Sequence, residues 1–149
     1  MKELKHLIYF ENLLEDANNE LVRKAEAEGD LAIGYTCFHA PEVLLNLGNC
    51  FSVRLRAPHT NSMELATYYM ANNSCEFSRA LLERALEGGF NFLDAQLATE
   101  TCTVTCRFQE HLQRMDIIQN EKFKCEFTDV PFKKTANSID HYEAQLKAH

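Results

Sequence analysis

The feature that most constrains this chain is an alternation. Short apolar runs of four to seven residues are separated by stretches with three- and four-residue apolar spacing, and glycine or proline punctuates the joins. Residues 31–37 (LAIGYTC), 50–56 (CFSVRLR), 90–98 (FNFLDAQLA, which contains a strand) and 123–130 (FKCEFTDV) read as strands. Between them, Pro41 opens PEVLLNLG, a short helix stopped at Gly48. CEFSRALLERALEGG is a strong helix, with Asn73 or Ser74 as cap and Gly88-Gly89 as stop. TCTVTCRFQEHLQRM (101–115) follows, with Val104, Phe108, Leu112 and Met115 in line, and a last helix spans 133–148 with Ile139, Tyr142 and Leu146 facing inward. The loop 57–73 has helical character over 63–70. Ahead of all this, Leu4, Leu7, Ile8, Leu14, Leu21, Val22 and Ala25 define one apolar stripe on an amino-terminal helix over 3–27, within residues 1–29.

Helix followed by β-α-β-α-β-α-β-α predicts a single α/β domain over 1–149, with β-α-β units from residue 30. About four parallel strands flanked by helices, joined by right-handed crossovers, make it Rossmann-like in the broad sense. No Gly-rich GxGxxG loop is present, so a dinucleotide cofactor has no support.

Charge and hydropathy narrow the function. With 22 acidic against 15 basic side chains the net charge is −7, and no Lys/Arg cluster offers a grip on nucleic acid. No apolar run approaches the roughly 20 residues that span a bilayer. The first residues carry acids throughout and lack a small-residue cleavage site, which points to a cytoplasmic protein.

Six cysteines are then of interest, because disulfides are rare in a reducing cytoplasm. No CxxC pair exists, so zinc-finger and thioredoxin spacings are absent. In an open parallel sheet, ligands bind beyond the carboxyl ends of the strands. Cys37 follows the first strand, and Cys75 and Cys102 each open a helix, which places all three on that edge. A helix amino terminus favours thiolate over thiol, and soft thiolates suit iron–sulfur clusters or zinc. Cys106 lies one turn beyond Cys102, on the same helical face. Cys50 and Cys125, at the start of one strand and inside another, read as core, and every one of the six is also a candidate small apolar filler. His6, His111, His141 and His149 read as surface residues.

Four stretches, in order, resemble the 2-hydroxyacyl-CoA dehydratase family, which includes benzoyl-CoA reductase subunits. They are GYTCFHAPEVLLNLGNCFSVRLRA, CEFSRALLERALEG, ATETCTVTCRFQEHL and FTDVPFKKTANSIDHYEAQL. The resemblance is to the amino-terminal domain of the dehydratase D-component type, so it implies a part of a longer two-domain subunit. It further implies a [4Fe–4S] cluster held by three cysteines. The first matches Cys75, the second best matches Cys102, and the third belongs to a second domain, with Cys106 or Cys37 as local substitutes. Two positions depart from the pattern: Thr103 stands where an Asp is usual, and Cys106 where a basic residue is common. The Cys75–Cys102 interval is also short for the family.

Members of that family are heterodimers of homologous subunits that take one electron from an ATP-dependent iron–sulfur activator. They dehydrate a 2-hydroxyacyl-CoA through a ketyl radical of its thioester. On the same edge of the sheet, His39 and Glu42 become candidates for catalytic residues lining the substrate pocket, as an alternative to capping a helix. Arg54 and Arg56 become candidates for the coenzyme A phosphates, as an alternative to a solvated strand end. Two other classes fit the same residues: a non-catalytic interaction domain that has lost the cluster, and a zinc domain built on Cys75, Cys102 and Cys106.

Overall fold

The structure is a computed structural model that describes residues 2–148, with side chains from residue 4. Two helices, α1 (Lys2–Glu15) and α2 (Glu20–Glu28), precede strand β1 (Leu31–Tyr35). Strand β2 (Cys50–Arg54), helix α3 (Glu64–Thr67), helix α4 (Glu76–Leu86), strand β3 (Ala95–Thr99), helix α5 (Thr103–Arg114), strand β4 (Lys124–Thr128) and helix α6 (Ala136–Ala148) follow. The four strands form one parallel sheet in the order β2-β1-β3-β4. The alternation in the sequence is therefore an α/β fold, with each expected strand in place, three of them slightly shorter and β3 ending one residue later than expected.

The long amino-terminal helix is two helices. Asn19 accepts from the amides of Leu21 and Val22 and caps α2, while Asp16 accepts from the amide of Asn18. These short polar side chains give the backbone an alternative to helix at 16–19. Arg84 of α4 fixes the break with a 2.6 Å ion pair to Asp16. The stripe divides with it: Val22 and Ala25 join the core, whereas Leu4, Leu7, Ile8 and Leu14 on α1 are exposed. Gly29 ends α2 in the left-handed region (φ 91°), its amide reaching back to Ala25 and Glu26.

Residues 41–48 form no α-helix. Only a 3₁₀ turn, Leu44–Asn46, forms there, with Leu44 N donating to Pro41 O and Leu45 N to Glu42 O. Its Asn46 has a definite job. Asn46 Oδ1 accepts the Ser52 amide at 3.0 Å and Asn46 Nδ2 donates to Ser52 Oγ at 2.9 Å, which occupies the outer side of edge strand β2.

Helices α2, α4 and α5 share one core with the sheet, built around Val22, Val53, Leu55, Leu81, Leu82, Phe90, Leu93, Phe108 and Leu112. Gly34 allows this closeness: a Cβ there would lie 2.6 Å from Gln96 Oε1 and 3.1 Å from Leu93 Cδ1. The opposite face carries a thinner layer, in which Tyr35, Ala40 and Leu97 pack with Leu45. Leu146 of α6 lines a cleft there with Ile33, Leu45 and Leu97. The inward face expected for α6 is only partly realised, because Tyr142 and Leu146 are half-buried but Ile139 is 60% exposed.

Candidate functional site

The sheet order fixes where a ligand would sit. The chain leaves β1 towards β2 on one side and leaves β3 towards β4 on the other, so the connections diverge at the carboxyl ends of β1 and β3. Cys37 follows β1 and Thr101-Cys102 follows β3, and they meet: Thr101 Oγ1 donates to Cys37 Sγ at 3.8 Å across this switch point.

Cys75 and Cys102 occupy the same position of their helices, the residue just ahead of the first turn of α4 and of α5, and both are exposed. The two helices pack side by side. Their contact includes a pair of hydroxyls three residues beyond each cysteine, Ser78 Oγ and Thr105 Oγ1, 3.3 Å apart. Ser78 is fully buried. The two thiols therefore crown neighbouring helices on one face of the sheet.

The electrostatics separate the cysteines. Cys102 makes no close capping hydrogen bond, yet the amide of Thr105, then its hydroxyl, and with less effect the amide of Val104 face the sulfur. Together they hold the thiol below its ordinary value despite partial burial. Cys106 is the reverse. Burial pushes its thiol up and outweighs the Cys102 backbone, and Glu100, Cys102 and Glu110 add to the rise. Its S–H points at Thr99 O, 3.9 Å away. Cys125 is buried in β4, aimed at Gln109 O, and burial followed by the Glu126 charge pushes it up to about 12. Cys50 is half-buried instead of fully core.

The segment that delivers Cys75 is fastened twice. Glu83 of α4, only 3% exposed, accepts the amides of Ala66 (2.7 Å) and Leu65 (3.3 Å) at the start of α3. Arg79 donates to Asn72 O, Asn72 Oδ1 and Thr67 Oγ1, folding residues 67–72 against the first turns of α4.

The remaining candidates lie around this rim or beside it. His39 stacks on Phe38 with ring centroids 4.1 Å apart. Glu42 is exposed, accepts from Ser52 Oγ at 3.3 Å, and helps burial raise the Tyr35 phenol. Neither caps an α-helix, since none forms there. Arg54 is exposed at the end of β2, whereas Arg56 donates to Leu13 O at 3.0 Å and so ties α1 to the body. Of the surface histidines, His6 is exposed, His141 pairs with Asp129 at 3.0 Å, and His111 is half-buried beside the Tyr69 ring. His149 lies outside the described residues.

As donors for a metal, Cys75 and Cys102 have the right softness, exposure and shared face. Among the described residues, however, no three His, Cys, Asp or Glu side chains converge tightly enough to hold an ion. The described residues therefore offer soft donors on a shared face but not, by themselves, a complete donor set. Sequence reasoning placed both thiols but missed Ser78, Arg79, Glu83 and Thr105. One signal was available: each helix-opening cysteine is followed three residues later by a hydroxyl, as Cys-x-x-Ser and Cys-x-x-Thr.

Comparison with known proteins joins these features to a family. The (R)-phenyllactyl-CoA dehydratase beta subunit of Clostridium sporogenes is 27% identical over 93 residues, 62% of this chain and 25% of that protein. The match thus spans about a quarter of that relative's length. The sequence profile for 2-hydroxyglutaryl-CoA dehydratase, D-component, matches residues 37–149, which takes in every element after β1 and Cys37, Cys75 and Cys102. The chain belongs to the 2-hydroxyglutaryl-CoA dehydratase D-component family.

Proposed function

We propose that this chain is the iron–sulfur domain of a 2-hydroxyacyl-CoA dehydratase subunit, in which Cys75 and Cys102 bind a [4Fe–4S] cluster at the switch-point rim. The observation that carries this reading is the placement of two exposed thiols at equivalent positions of adjacent helices, three residues from a shared hydroxyl contact. When bound, such a cluster supplies the single electron that lets a thioester ketyl expel its hydroxyl.

The chain's own residues then have definite tasks. The Thr105 and Val104 amides keep Cys102 ready as a thiolate, and Arg79 and Glu83 fix the segment leading to Cys75. His39, stacked on Phe38, and Glu42, which accepts from Ser52 Oγ, stand in the segment that follows β1 and are the candidates to meet the acyl group of a CoA thioester. Arg54, exposed at the end of β2 with its charge acting on the Tyr35 phenol, is the stronger candidate for a coenzyme A phosphate, while Arg56 donates to Leu13 O and is the weaker one. The third thiolate comes from outside the described residues, because Cys106 is turned towards Thr99 O and Cys37 towards Thr101.

The complete enzyme, on this reading, is a cytoplasmic heterodimer with a homologous subunit, charged by an ATP-dependent activator. The subunit designation of the Clostridium sporogenes relative supports this assembly. Among the described residues no helix is long and apolar enough to cross a membrane.

One observation favours a second reading. The lack of a third converging ligand suits a non-catalytic interaction domain that keeps the fold without the cluster. A zinc site on Cys75, Cys102 and Cys106 is less well supported, since the half-buried Cys106 thiol is turned towards Thr99 O. Anaerobic purification separates them. A brown protein with iron and acid-labile sulfide supports the dehydratase reading, and a colourless metal-free protein supports the interaction domain.

A further inference from the structure

The hydroxyl pair between α4 and α5 also bears on how the two thiols are held relative to one another. Ser78 and Thr105 are both the third residue of their helices, and each follows its cysteine by three positions. Their oxygens are 3.3 Å apart in a contact from which Ser78 is wholly screened from water. Packed helices interdigitate as ridges in grooves, and a hydroxyl pair with one member fully buried adds a directional contact that is satisfied at one register only. Leu81, Leu82 and Phe108 supply the apolar part of this core, whose contacts are less directional than a hydrogen bond.

We propose that Ser78 and Thr105 are positioning residues that lock the heights of α4 and α5, so that the Cys75 and Cys102 sulfurs are presented level, as a pair. Because the third residues of both helices touch, the residues ahead of their first turns are level as well. Helices in contact lie about 8–10 Å apart axis to axis, which sets the scale of the gap that a bidentate ligand would span. The proposal deepens the cluster reading by naming what holds two ligands in register, and it rests on that reading for its purpose. The geometry itself stands without a cluster.

The test uses the 149-residue chain, reduced and free of metal. A short bis-alkylating thiol reagent, dibromobimane, and the longer bis-maleimidoethane are each added, and peptide mapping by mass spectrometry reads the Cys75–Cys102 bridged yield. In Ser78→Ala and Thr105→Val, with both reactions run to completion so that the less reactive Cys102 of Thr105→Val limits neither, the short-reagent yield should fall about fivefold relative to the long-reagent yield, the factor that one net hydrogen bond is worth. Thr105→Ser, which keeps the hydroxyl, should restore the native ratio. A general loss of stability would lower both yields together, and circular dichroism confirms that each variant is folded. An unchanged short-to-long ratio in both hydroxyl-deleting variants would overturn the proposal. Bridging needs no iron, so that result leaves the cluster reading intact. Conversely, a chain that bridges as described but takes up no iron sinks the cluster reading and leaves the register lock in place.

Discussion

Glu83 is the side chain whose removal has the most calculable consequence. Its carboxylate is nearly fully buried and accepts two amides of the α3 start, at 2.7 Å from Ala66 and 3.3 Å from Leu65. Hydrogen bonds to a charged group contribute about 1.5–3 kcal/mol each. Counting the short bond in full and the long one at roughly half, Glu83→Ala should cost about 3–4 kcal/mol, since it also strands two amide donors. For a chain of this size 1 kcal/mol moves Tm by about 2–4 °C, so a drop of about 10 °C is expected. Glu83→Gln keeps the shape but loses the charge and turns an NH₂ towards an N–H, for about 2 kcal/mol. Urea and thermal unfolding followed by circular dichroism give the totals. Hydrogen exchange should show α3 opening first, because the bond is local to it. If Glu83→Ala stayed within about 1 kcal/mol of the parent, the carboxylate would not be what fastens this segment.

Further outcomes follow from the cysteines and the packing. Iodoacetamide alkylation of Cys102 should begin at lower pH than that of an unperturbed thiol, and Thr105→Val should move its profile upward. Cys125 has its folded thiol raised to about 12 from 9.0. Its neutral form therefore stabilises the fold fully below pH 9, and that contribution fades as pH climbs towards about 12. Cys125→Ala should accordingly flatten alkaline unfolding, by up to about 4 kcal/mol across that window. Gly34→Ala would set a methyl against the buried Gln96 and Leu93 side chains, and calorimetry should find it destabilised by about 1–3 kcal/mol. Asn19→Ala removes the α2 cap and should cost about 1 kcal/mol, seen as fraying at residues 20–23 in hydrogen exchange.

Much of the architecture was legible because strands and long helices carry their own periodicity. Residues 31–35, 50–54 and 124–128 read as apolar runs and are strands of a parallel sheet. The failures have local causes. The apolar stripe of the first 27 residues runs through Asp16-Ala17-Asn18-Asn19, where side-chain bonds to the backbone outcompete a helical turn. Periodicity does not register that, although Asn19 followed by an apolar-periodic run was a readable cap. At Pro41 the start signal misled: the Asn46 side chain bonds the Glu42 carbonyl and Ser52 of β2, and only a 3₁₀ turn forms. At the rim, the placement of Cys75 and Cys102 just ahead of α4 and α5 was legible because a helix start is visible in sequence. Ser78, Glu83 and Thr105 were not, since a polar residue in an amphipathic helix reads as solvent-facing until a second helix is laid against it. For Arg56 the residue type suggested phosphate, and tertiary contact assigned it to Leu13 O.

The central claim is that Cys75 and Cys102 together bind iron. Its most direct measurement is Mössbauer spectroscopy of the chain after anaerobic reconstitution with ⁵⁷Fe and sulfide, in excess small thiol to complete the coordination. The parent chain should show the quadrupole doublet of a [4Fe–4S] cluster, and Cys75→Ser and Cys102→Ser should each abolish most of it, while Cys50→Ser and Cys125→Ser leave it. Absence of cluster iron in the parent, or full retention in the Cys75→Ser/Cys102→Ser double variant, would contradict the account.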